Sequence, residues 1–103
     1  MTVDPINPQQ QAIVVEKTRR YIQQAGEIYG KKFQPIDVRF DLCGRNAGMY
    51  RVQGRQRWIR YNPYIFSRYF DDNLNTTVPH EVAHYITDCL YGLRKIRPHG
   101  IEW

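Results

Sequence analysis

The stretch PIDVRFDLCGRNAGMYRVQGRQRWIRYNP, residues 35–63, decides the fold. From Pro35 to Leu42 it alternates: Ile36, Val38, Phe40 and Leu42 fall on one side, and Asp37, Arg39 and Asp41 on the other. A period of two marks a strand with one buried face. Gly44-Arg45-Asn46 reads as a turn. Two further extended runs follow, Ala47 to Val52 and Arg57 to Tyr61. The glycine in the polar spacer between them, Gln53-Gly54-Arg55-Gln56, suggests a hairpin. Asn62-Pro63 closes the sheet.

Helices flank this block. Upstream, Asn7 can cap free backbone N–H groups, Pro8 suits a first helical position, and Gln10 completes a capping box. Val14, Tyr21, Ile22, Ala25, Ile28 and Tyr29 then recur at helical spacing as one apolar face, and Gly30 ends it. Downstream, Tyr64 to Phe70 reads as a short aromatic helical turn. A second long helix is expected from Asp71 or Asp72, whose carboxylates suit a positive helix start, to about Tyr91, with Gly92 as its stop. Pro79 lies inside this stretch and lacks a backbone donor, so the helix either kinks there or starts only a turn earlier. The tail from Leu93 to Trp103 reads as a basic loop. Helix, three strands, helix is an α+β layout, with the helices packed on one face of a small sheet.

Composition fits a single folded domain. The 103 residues suffice for one small core, with 42% hydrophobic and 24% charged residues. No apolar run approaches the length needed to span a bilayer. The polar start, with two prolines before Gln11, does not resemble an export signal, so a cytoplasmic, or nucleoid- or nucleus-associated, protein is expected. Cys43 and Cys89 form no CxxC pair and are expected to be free, buried thiols. The net charge of +5 favours acidic partners, nucleic acid among them, but only slightly.

The second helix carries the chemistry. His80-Glu81-Val82-Ala83-His84 is an H-E-x-x-H sequence. Residues four apart lie one turn apart on one helical face, so both imidazoles can reach one ion at about 2.0–2.1 Å. Glu81 follows the first of them and can reach a water on the metal without being a ligand, which is the position of a general base. Val78, Val82, Tyr85, Ile86 and Cys89 make an apolar stripe pointing away from His80 and His84. A tetrahedral zinc with one open position needs a third protein ligand. The only other histidine is His99, and Gly92 lets the chain turn back to bring it there. An accidental H-E-x-x-H in so short a chain has odds of roughly a few in a thousand, and most accidents would lack a third ligand.

At these residues the chain resembles the SprT-like family, the zinc metallopeptidase domain that also occurs in the Spartan proteases. The resemblance rests on Val78-Pro79-His80-Glu81-Val82-Ala83-His84-Tyr85, on Gly92, and on Pro98-His99-Gly100-Ile101-Glu102-Trp103. Ala47-Gly48 and Ile59-Arg60-Tyr61-Asn62-Pro63 match the family's sheet. It implies a minimal zincin-like metallopeptidase fold with an active-site helix and a ligand-bearing C-terminal loop. It further implies one Zn2+ per chain on His80, His84 and His99, Glu81 as base, and protein or peptide substrates. In the Spartan branch these are proteins crosslinked to DNA, so a DNA-associated setting with weak DNA binding is expected. Because relatives tolerate Pro in this helix, the helix is extended back to Asp71 or Asp72. Relatives continue into a further helix and often a four-cysteine zinc ribbon, which this sequence lacks, so the chain reads as one domain, 1–103, shortened at its C-terminus.

Other residues are weighed beside these. Arg45, Arg51, Arg55, Arg57 and Arg60 accompany Tyr50, Trp58 and Tyr61, a combination that suits single-stranded nucleic acid. Solvent-facing arginines over inward aromatics are the plainer expectation. Arg94, Lys95 and Arg97 flank His99, where phosphate contacts and a solvated loop are equally good readings. Asp88 is expected to be a surface carboxylate, with orientation of a ligand imidazole as the alternative. The edge strand from Ala47 to Val52 can pair with an extended peptide. Tyr85 and Tyr91 are nearby candidates for an oxyanion donor. Two functions compete: a zinc endopeptidase, and a non-catalytic zinc-stabilised domain that binds nucleic acid or protein. Glu81 favours the first, because a structural zinc needs no adjacent base.

Overall fold

The computed structural model describes residues 4–92. Helix α1 (Pro8–Tyr29) begins at a complete capping box: the Asn7 side chain accepts from Gln10 N at 2.8 Å, and Gln10 Oε1 accepts from Asn7 N at 2.9 Å. It ends at Gly30, whose φ of 63° is the left-handed conformation that glycine adopts without strain. Val14 and Ile22 are buried as the periodicity requires, and Tyr21 and Ala25 pack against the same core. Ile28 and Tyr29 are not buried; they are 79% and 51% exposed, because the last turn outruns the surface that the helix covers. Thr18 takes a buried place that hydrophobic periodicity passes over. Its hydroxyl bonds to Val14 O at 2.8 Å and to the Tyr61 hydroxyl at 2.9 Å.

The three expected strands form one sheet: β1 (Asp37–Arg39), β2 (Gly48–Gln53) and β3 (Gln56–Tyr61). The order is β1-β3-β2, with β1 parallel and β2 antiparallel to β3. Strand β3 is therefore central, and Trp58, Ile59 and Tyr61 are buried on it. Gln53 pairs with Gln56 across the hairpin, and Gly54 supplies the positive φ of 61° that the tight turn needs. Strand β1 is shorter than its alternation implies. After Arg39 the chain leaves the ladder to reach β2 on the far side of β3, although Leu42 stays buried and donates its N–H to Tyr61 O.

Helix α2 (Pro63–Arg68) starts under Asn62, whose Oδ1 accepts from the N–H groups of Tyr64 and Ile65. The expected single helix from Asp71 or Asp72 to Tyr91 is instead two, α3 (Phe70–Asn75) and α4 (Thr77–Tyr91), broken at Thr76. Pro79 explains the break. In a continuous helix its ring would strike the carbonyl four residues back, that of Asn75, which is where α3 ends. In α4 it occupies the first turn, where its missing donor costs nothing. The sequence alternative of a start one turn before the motif is the one realised. The core joins Val14 and Ile22 of α1, Ile59 and Tyr61 of β3, Phe66 of α2, and Val78, Val82, Tyr85 and Ile86 of α4. Among the described residues no helix is long and apolar enough to cross a membrane.

Candidate functional site

The motif residues sit on the first half of α4, and the helix has the two faces that the sequence requires. Val78, Val82, Tyr85 and Ile86 are buried, while His80 is exposed and His84 half-buried. Cys89 departs from the expected stripe: both cysteines are free, as expected, but both are exposed. The His80 and His84 ring centroids lie 4.9 Å apart with their planes at 88°. Two imidazoles this close, one helical turn apart, suit neighbouring positions around one small cation.

Glu81 is placed differently from its histidine neighbours. It is only 6% exposed, and burial raises its carboxyl to about 7, against the opposing pull of the Tyr50 backbone N–H. A carboxyl brought near neutrality beside a cleft suits proton transfer at ordinary pH. The cleft encloses about 370 Å³, and its walls include Arg45, Gly48, Thr77, His80 and Glu81. A larger hollow of about 570 Å³ lies against α1 and the segment after it, away from the motif residues.

Gly48 is what lets β2 come so near. A β-carbon there would meet Thr77 Cγ2 at 2.8 Å, Glu81 Cγ at 2.9 Å and Glu81 Oε2 at 3.1 Å. The sequence shows a glycine at the start of a strand; that it makes room for the carboxylate of a helix far along the chain is visible only in three dimensions. Asn62 steadies the same wall. Its Nδ2 donates to Gly44 O at 3.1 Å and Asn46 O at 3.2 Å, and its own N–H donates to Ala47 O.

Asp88 corrects its expected place. It is not a surface carboxylate: its side chain is 4% exposed, and Oδ2 accepts from the Tyr50 hydroxyl at 2.6 Å and from Arg57 Nε at 2.7 Å. Burial, and after it the bond to Asp88, holds the Tyr50 phenol well above its ordinary value. Tyr85 is turned away from an oxyanion role, since its hydroxyl donates to Gln34 O at 2.8 Å. Tyr91 is exposed at the end of α4. The hairpin follows the plainer expectation. Arg57 and Arg60 are tied to Asp88 and Asp41, and Trp58 and Tyr61 are buried. Arg51 and Arg55 face solvent.

The third proposed ligand, His99, lies outside the described residues, as do Arg94, Lys95, Arg97 and Trp103. Among the described residues no group of three His, Cys, Asp or Glu side chains is arranged to hold a metal. The donors present, two imidazoles on one helical face with a carboxylate set back from them, fit zinc provided one more ligand arrives.

The SprT-like family model matches residues 18–103. The chain belongs to the SprT-like family. Protein SprT of Pseudomonas savastanoi pv. phaseolicola is 40% identical over 81 residues, covering 79% of this chain and 48% of that protein. Protein SprT of Pseudomonas paraeruginosa is 38% identical over 81 residues, covering 79% and 47%. Protein SprT of Glaesserella parasuis is 33% identical over 90 residues, covering 87% and 55%. This SprT-like chain thus spans about half the length of the curated relatives it matches. No solved structure matches it.

Proposed function

We propose that this SprT-like chain is a zinc-dependent metallopeptidase that hydrolyses peptide bonds in protein substrates. The observation that carries the reading is the placement of Glu81: a buried carboxylate on the helix that presents the His80–His84 pair, in the wall of an open cleft. A zinc that served structure alone would need no such group.

His80 and His84 would hold the ion, with His99 as the third ligand. Bound zinc would supply Lewis acidity toward the scissile carbonyl. The protein's own groups do the rest. Glu81 accepts a proton from the attacking water and returns it to the leaving amine. Strand β2 lies at the sheet edge, so its outward N–H and C=O groups, other than the Tyr50 N–H that faces Glu81, would pair with an extended substrate backbone and bring one carbonyl to the cleft. The family resemblance adds proteins near DNA as substrates, and the net charge of +5 suits such a setting.

Glu81→Gln tests the reading. The amide keeps the shape of the side chain and cannot take a proton. Zinc content and fold should be retained, while cleavage of an unfolded or DNA-tethered protein falls by about 10²–10⁴-fold. A zinc-loaded Glu81→Gln protein that cleaves at the wild-type rate excludes Glu81 as the base. A zinc-loaded wild type that cleaves neither substrate moves the assignment to a zinc-stabilised binding domain.

A further inference from the structure

A buried carboxylate is costly unless it is paired and hydrogen-bonded. Asp88 meets both conditions through two strands at once, taking Arg57 of β3 and Tyr50 of β2 on the same oxygen. Asp88 stands seven positions after Glu81, two turns along the same face of α4. Both carboxylates face Tyr50, but different parts of it. In an antiparallel ladder the inward and outward backbone groups alternate. The ladder closes at the Gln53–Gln56 pair, so by this alternation the Tyr50 N–H turns away from β3, and it is this N–H that faces Glu81. The side chain then runs along α4, packs its ring 6.0 Å from that of Tyr85, and ends on Asp88. One residue of the edge strand thus spans α4 between the proposed base and Asp88.

We infer that Asp88 is a positioning residue for the proposed reaction, holding β2 over Glu81 through the Tyr50 hydroxyl. The inference rests on the peptidase reading for its effect on rate, but not for the placement itself. Asp88 touches no reacting atom. It sets the height of the strand edge over the helix, and hence the distance between Glu81 and a carbonyl held on that edge. Displacements of about 1 Å in such a relationship cost up to about 10²-fold in rate. Arg57 balances the charge of Asp88, so the contact leaves no unpaired ion inside the fold.

Tyr50→Phe is the direct test, because it keeps the ring packing and removes only the bond to Asp88. In zinc-loaded protein well below its melting temperature, kcat should fall about tenfold or more with KM within about twofold, and zinc content should be unchanged. Hydrogen exchange at the Tyr50 amide should quicken by about tenfold or more. Asp88→Asn should act in the same direction, and the double variant should be little worse than Tyr50→Phe alone, as expected for two ends of one contact. Thr18→Val removes a buried hydroxyl contact on the α1 side of the core, and it should leave kcat unchanged. A Tyr50→Phe protein with wild-type kcat and wild-type exchange overturns the inference, as does a Thr18→Val protein that loses kcat equally. If the wild type cleaves nothing, the peptidase reading falls by itself, and the Tyr50 amide still decides the placement: faster exchange supports it, and unchanged exchange overturns it.

Discussion

A β-carbon on Gly48 would stand 2.9 Å from Cγ of Glu81, closer than such carbons pack, so the absence of a side chain at the start of β2 sets where the carboxylate lies. Two segments far apart in sequence meet there with no room between them. The second obstacle, Thr77 Cγ2 at 2.8 Å, belongs to the first turn of α4, and its rotamer is held by the bond from the Thr77 hydroxyl to Asn73 Oδ1.

Gly48→Ala should therefore push β2 and α4 apart. Overpacking of this kind costs about 1–3 kcal/mol of stability. The larger effect should fall on turnover, with kcat down about 10–100-fold while His80 and His84 still bind zinc. Steady-state kinetics beside metal analysis checks it. A Gly48→Ala protein as active as wild type would show that the strand can retreat without disturbing Glu81.

Metal removal has a separate signature. About one zinc per chain is expected in the wild type and nearly none in His84→Ala. Because the ion would join α4 to the segment that carries His99, chelation should lower the melting temperature of the wild type. The same chelator should leave His84→Ala where it began. Superimposed wild-type melting curves with and without chelator would show that zinc does not hold this fold.

Asn62→Asp is expected to be a damaging substitution despite its small change in shape. The carboxylate can keep the cap on Tyr64 and Ile65, but it has no hydrogen to give to the carbonyls of Gly44 and Asn46. Gly44 and Asn46 are exposed and their carbonyls can turn to water, but Asn62 is buried, and a charged side chain facing those oxygens there costs about 1–3 kcal/mol. A domain of this size should then melt about 10 °C lower. Calorimetry at neutral pH, where the new side chain is charged, reads this directly.

The pH dependence of thiol modification should separate chemistry from exposure. Cys89 is solvent-exposed, yet burial of its sulfur raises the thiol above its ordinary value, against the lowering effects of Tyr85 and Arg57. A raised value means less thiolate at neutral pH, so alkylation of Cys89 should lag behind that of a free thiol near pH 7–8 and keep rising beyond pH 9. Tyr85→Phe removes a lowering contact and should slow it further. Mass spectrometry of the modified peptide follows both.

Much of this arrangement was legible in the sequence because it is written in local patterns. Asn7, Pro8 and Gln10 announce the start of α1, and they do so with residues three apart. The hairpin shows itself through a glycine in a four-residue spacer. The imidazole pair needs only one helical turn. What stayed hidden depends on pairings that no local pattern encodes. Alternation around Val38 marks a strand but does not say that Ile59 is its partner, nor that the two run parallel. Asp88 looked like a surface acid because charge usually means exposure, and its donors lie 38 and 31 positions away. The stop at Asn75 was legible through Pro79, and the sequence reading lost it by extending the helix to match relatives.

Strand order also governs how the chain assembles. The β2–β3 hairpin closes between adjacent runs and can form within microseconds, as local contacts do. Strand β1 has no neighbour in the sheet except β3, which follows the hairpin turn. During synthesis β1 leaves the ribosome before its partner does and must wait with its backbone groups unpaired, bonded only to water. Its brevity, at three residues of which Asp37 and Arg39 are charged, keeps that waiting edge a poor template for pairing between molecules.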